Sequence, residues 1–109
     1  MAFKRTQTPT FSTPVTVNVP NNKGGFDKST FTAIFRRPSM AELDEIRGLK
    51  NDEVVRRTMV GWDLRDGDTH ESVEFSEVEM EAVLQISPTP MATATAFWES
   101  VSGARSKNL

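Results

Sequence analysis

Residues 14–37 read PVTVNVPNNKGGFDKSTFTAIFRR, and this stretch decides the fold class. Val15, Val17 and Val19 alternate with Thr16 and Asn18, and Phe31, Ala33 and Phe35 alternate with Thr32, Ile34 and Arg36. A period of two marks a strand with one face turned to a core. The segment PNNKGG between the runs supplies Asn and Gly, which tolerate positive φ. The runs are therefore expected to form an antiparallel hairpin with a loop longer than the tightest type. An isolated hairpin is barely stable in water. It must pack on the rest of the chain or lend an edge to another one.

Outward from the hairpin the pattern turns helical. Ser39-Met40-Ala41-Glu42 is a capping box, in which the serine hydroxyl accepts the N3 amide and the glutamate reaches back, and Met40, Leu43 and Ile46 follow on one side. Gly48 is a natural stop. A second helix opens at Asn51 or Asp52, with Asp52–Arg56 and Glu53–Arg57 spaced i to i+4 and Val55, Met59 and Trp62 as its apolar stripe. A third opens with the box Ser76-Glu77-Val78-Glu79, flanked by Phe75 and Met80 at the staple positions, and turns Met80, Val83 and Leu84 inward. A fourth starts at Thr89-Pro90 and carries Met91, Ala94, Trp98 and Val101 to Gly103. The reading is an α+β fold: an N-terminal antiparallel β-hairpin followed by a small bundle of about four short helices. Residues 1–13, rich in Thr, Ser and Pro, are expected to be a flexible arm, 14–102 a single domain and 103–109 a flexible tail.

Composition narrows the chemistry. A chain of 109 residues has room for one small core. Its 13 basic and 15 acidic side chains leave a net charge of -2, which argues against sequence-independent capture of nucleic acid. The absence of cysteine removes disulfides, thiolate nucleophiles and sulfur-ligated zinc. With no long apolar run, the sequence implies no membrane span and is expected to be soluble and unexported.

The stretch VGWDLRDGDTHESVEFS, residues 60–76, crowds five acidic residues and the one histidine between two aromatics. It fails the calcium-loop spacing: counted from Asp63, an arginine falls at position three and a glycine at five. His70 has no second histidine to share a zinc ion and no G-x-S-x-G elbow to serve. The expectation is a solvated connection, with no metal, no cofactor and no catalytic residues. Trp62, Phe75 and Trp98 are expected to be structural anchors, because aromatics at helical spacing and beside caps more often belong to a core than to a pocket. Gly24-Gly25 lacks the lysine of a phosphate loop, and Arg36-Arg37 and Arg56-Arg57 fit exposed charges better than phosphate contacts.

The order of these pieces resembles that of one family. A hairpin ending in Phe35-Arg36-Arg37 leads to Val60-Gly61-Trp62-Asp63 and an acidic connection with Asp66-Gly67. Phe75-Ser76 then opens an amphipathic helix toward Leu84, and a closing helix leads to Gly103-Ala104 and Lys107-Asn108. From about Val15 onward, this order resembles the small tail assembly chaperones of long-tailed bacteriophages. The resemblance implies a non-enzymatic protein, the short form of a frameshifted pair, acting in the host bacterial cytoplasm and absent from the mature virion. Its implied partners are the tape measure protein, which it solubilises, and the tail tube protein, whose subunits it helps recruit. Two other classes are a structural tail or head-completion subunit and a small nucleic-acid-binding regulator. From the residues themselves, short helices are not expected to cover both faces of the hairpin. Val17, Phe31, Ile34 and Phe35 are therefore candidate interface residues, for a client or for a homo-oligomer.

Overall fold

In the computed structural model, which describes residues 2–103, the hairpin is the frame on which everything else is hung. Strand β1 (Thr10–Pro20) pairs antiparallel with β2 (Phe26–Arg36) along its whole length, Val15 lying opposite Phe31. Two helices follow, α1 (Met40–Ile46) and α2 (Asn51–Thr58), then a third strand β3 (Met59–Asp63), and finally α3 (Glu77–Leu84) and α4 (Thr89–Ser102). The sheet order is β1-β2-β3, all antiparallel, and the architecture is α+β with four helices. No helix of the described residues is long and apolar enough to cross a membrane.

The strand begins earlier than Pro14. Residues 10–13, assigned from composition to a flexible arm, are paired with β2, and the backbone amide of Arg37 still reaches Pro9 O at 2.8 Å. Phe11 supplies the reason: its ring lies 5.6 Å from that of Phe35 and 6.1 Å from that of Phe97, with the Arg37 guanidinium over it at 5.3 Å. One aromatic anchors a polar segment that composition alone reads as loose. At the other end, the expected tail falls partly on Gly103, which caps α4 at φ 73, and otherwise on residues 104–109, which lie outside the described residues.

Met59 and Trp62 do not continue α2; they belong to β3. The register of β3 on β2 slips between Ile34 and Phe35, so that Gly61 faces Ile34 and Met59 faces Phe35, leaving Val60 as the extra residue of a bulge. The bulge puts Met59 and Trp62 on the same buried face although they are three apart, which is also helical spacing. Thr58 closes the helix by turning its hydroxyl onto Val54 O at 2.7 Å, and Met59 takes extended backbone angles.

The inward face of the sheet, with Thr13, Val15, Val17, Phe31, Ala33, Phe35 and Trp62, is buried under the helices. Helix α4 packs along β1 and against α2. Its buried side is Thr89, Thr93, Ala94 and Phe97; of the expected stripe Ala94 is buried, Trp98 and Val101 are half-buried against the core, and Met91 is 66% exposed. Thr89 is itself helical, the cap position being Pro88, so no side chain caps this helix. In the two expected boxes the serine half forms, Ser39 Oγ accepting from Glu42 N and Ser76 Oγ from Glu79 N. Met40, however, points outward, and Glu42 turns its carboxylate to Arg36 at 2.6 Å.

Two arginines tie the layers together. Arg36 on β2 also donates twice to Arg57 O, the carbonyl near the end of α2, at 2.8 and 3.2 Å. Arg56 on α2 meets Asp52 at 2.7 Å, Glu53 at 2.8 Å and, side-on through two hydrogen bonds, Glu81 of α3. The Glu53 partner is thus Arg56 instead of the expected Arg57. Hydrogen bonding to Arg56 holds the Glu81 and Asp52 carboxyls below their usual range. A depressed carboxylate stabilises the fold above its unfolded pKa, and that contribution is lost as pH falls through the folded value. Acid titration followed by circular dichroism should therefore unfold Arg56→Ala at a higher pH than the parent. Coincident acid transitions would show that the bridge between α2 and α3 contributes nothing.

Candidate functional site

Of the four residues expected at an interface, three are core. Phe35 is fully buried, and Val17 and Phe31 are 4% and 7% exposed, because the helices, α4 against β1 foremost, cover the inward face that a bare hairpin would leave open. Ile34 lies on the other face, half-buried over Gly61, where an added Cβ would sit 3.4 Å from its Cδ1. That outer face, with Thr10, Ser12, Pro14, Thr16, Asn18, Lys28 and Thr30, is exposed and polar.

The free edge of β1 is blunted. Arg37 N bonds Pro9 O and Asn21 N bonds Gly25 O, so odd positions of β1 face β2 and even positions face outward. Pro14 and Pro20 are both even, and neither has an N–H to present. The outward carbonyl of Thr10 is already taken by Thr8 Oγ1 at 2.8 Å. Proline at the outward positions of an edge is a common defence against strand addition.

The residual exposure of Val17 and Phe31 opens instead into a cleft of about 280 Å³. The hairpin contributes Val17, Val19 and Phe31 to it, the connection Leu64 and Val73, and the end of α3 Val83 and Ile86. Its rim carries Asp66 and Glu79, while Arg65, also at the rim, is turned to His70 O at 3.1 Å. Nearby, Ile86 is 44% and Val78 78% exposed.

The connection that forms one wall is more ordered than its charge suggests. Val73 N reaches Leu64 O at 2.8 Å and Arg65 bridges Ser72, making a short two-sided ribbon. Asp66 Oδ1 accepts from the amides of Asp68 at 2.8 Å and Thr69 at 3.0 Å, and these bonds hold its carboxyl below the usual range. His70 has φ 62, a left-handed position, and its amide returns to Asp66 O. The backbone of His70 thus makes a turn. Among the described residues no cluster of His, Asp and Glu is arranged to hold a metal ion.

The aromatic anchors sort by burial. Trp62 is 8% exposed, donates from Nε1 to Val73 O at 2.8 Å, and stands edge-on to Phe75 at 4.9 Å and Phe31 at 6.2 Å. It therefore joins the sheet, the connection and the approach to α3. Phe75 and Trp98 are half-buried against the core, Trp98 beneath the Arg47 guanidinium at 5.4 Å. Comparison with protein-family models, curated proteins and solved structures returns no match. The geometry of the cleft and the chemistry of its rim are therefore the evidence for function. The basic pairs offer little to phosphate: Arg36 and Arg56 are engaged as described, and Arg37 binds Thr8 O at 2.8 Å, leaving Arg57 exposed.

The sequence singled out Val17 and Phe31 but not the rest of the cleft. Val19 is expected in the strand and Val83 on the inward side of the third helix, while Ile86 carries no signal of its own; their convergence depends on how α3 returns to the sheet.

Proposed function

We propose that this chain is a tail assembly chaperone of a long-tailed bacteriophage, binding and solubilising the tape measure protein and helping to recruit tail tube proteins in the host cytoplasm before the virion is complete. The observation that carries the reading is the apolar cleft between the hairpin and α3, which adds a seat for apolar side chains to the family-like order of motifs. An apolar cavity of about 150 Å³ holds a benzene ring, so this cleft takes one or two side chains, not a helix. A client helix would lie across its mouth, sending anchors inward and meeting Ile86 at the rim. Binding of this kind asks for no catalytic group, cofactor or metal.

Co-expression with the tape measure gene product, followed by co-purification, tests the reading. The parent chain should hold the tape measure protein in solution, and Ile86→Glu should lose at least about tenfold in capture, because a charge would be buried against apolar side chains. Ile86 is partly exposed, so the free variant should retain the parent's circular dichroism. A tape measure protein that stays insoluble with both chains would overturn the chaperone role. Finding the chain in purified particles by mass spectrometry would make it a structural subunit instead.

A further inference from the structure

The tip of the hairpin is the most exposed part of the described chain that is also regular. Residues 20–30 are exposed or half-exposed on both faces, and the strands continue past Val17 for three residues, roughly 10 Å at 3.3 Å per residue. Near its end sits Phe26, 67% exposed, opposite Pro20. Phe26 and Lys28 share the outer face of the arm, with Lys23 in the turn, whereas Asp27 points to the other face and is held by Asn21 Nδ2 at 3.1 Å. The tip therefore presents an aromatic ring flanked by two ammonium groups.

The cleft has the complementary character. Its interior is apolar and large enough for a phenyl ring, its rim carries Asp66 and Glu79 while the one basic rim residue, Arg65, is turned to His70 O, and the connection beside it adds Asp68, Glu71 and Glu74. A chain cannot fill its own cleft, because β1 and β2 form one wall of it and are locked in register out to Pro20–Phe26. We propose that the hairpin tip of one copy docks into the cleft of a second copy, with Phe26 as the inserted side chain and Lys23 and Lys28 meeting the acidic rim. The contact is heterologous: each chain offers one tip and one cleft, so copies add head to tail and either close a ring or extend a filament. Since the cleft is also the proposed client seat, a neighbour's arm shields it until a client displaces the arm. The self-contact is measured without client, so either reading can fail alone.

Sedimentation velocity on the full chain should show species larger than monomer that grow with concentration and shrink with added salt. Phe26→Ser, on an exposed site, and Ile86→Glu, in the cleft, should each sediment as monomer with parental circular dichroism. An equimolar mixture of the two should give a one-to-one heterodimer that grows no further, because the intact cleft of the first receives the intact tip of the second. Phe26→Ser should still capture the tape measure protein, which Ile86→Glu should not. A monomeric parent at every concentration, oligomers that survive either substitution, or a mixture that stays monomeric would each overturn the proposal.

Discussion

Trp62→Ala is expected to abolish the native fold. Truncating a buried aromatic costs about 3–5 kcal/mol, against a total of about 5–15 kcal/mol for an ordinary domain, and a chain this short belongs toward the lower end. The loss here extends beyond a cavity. Trp62 fills the space between Phe31 and Phe75, and its Nε1 is the hydrogen-bond donor to Val73 O. Without it the ribbon of 64–73 loses its attachment to the sheet. The variant should show collapsed near-ultraviolet circular dichroism and no cooperative melt above room temperature. Trp62→Phe separates the contributions: it keeps a ring but orphans the carbonyl of Val73, for a loss of about 1–3 kcal/mol. An alanine variant melting within a few degrees of the parent would mean that Trp62 is not a structural anchor.

Phe97→Ala should be nearly as damaging, and Trp98→Ala much less so. Phe97 is fully buried, with its ring 5.2 Å from Phe35 and 6.1 Å from Phe11, so it is the side chain through which α4 holds both strands of the hairpin. Its truncation should cost about 3–5 kcal/mol. Trp98 is half-buried, in edge contact with Phe97 at 5.1 Å and beneath Arg47, and its removal should cost about 1–2 kcal/mol. Urea denaturation of both variants gives the order directly. If Trp98→Ala were the more costly, α4 would be rotated from the face described here.

These expectations differ from a reading of the helix pattern alone, and the difference is instructive. The stripe Met91, Ala94, Trp98 and Val101 and the stripe of Thr93, Ala94 and Phe97 are both consistent with a period of 3.6. Two threonines on the buried side disguise it, and Thr93 Oγ1 is the one buried side-chain oxygen without a partner among the described residues. Hydropathy favours the wrong face by one residue. Packing decides it, because the ring that reaches Phe11 and Phe35 must be the one aimed at β1.

By itself, the sequence determined the elements whose signals are local. The alternation of 15–19 and 31–35 with the turn segment PNNKGG specified the hairpin, Ser39 and Ser76 placed two helix starts through their own side chains, and Gly103 ended α4 with the left-handed backbone that glycine adopts without strain. Only the tertiary structure decided the features that depend on a distant partner. Residues 59–63 are a strand because β2 has a second edge to pair, and the bulge there gives a strand the spacing of a helix. Residues 10–13 are ordered because Phe11 meets Phe97, which lies 86 positions later in the numbering. The cleft exists because the connection and the end of α3 converge on the turn-side half of the hairpin. Local preferences act over a few residues, whereas burial is set by whatever surface the rest of the chain brings near, and no short window of sequence contains that surface.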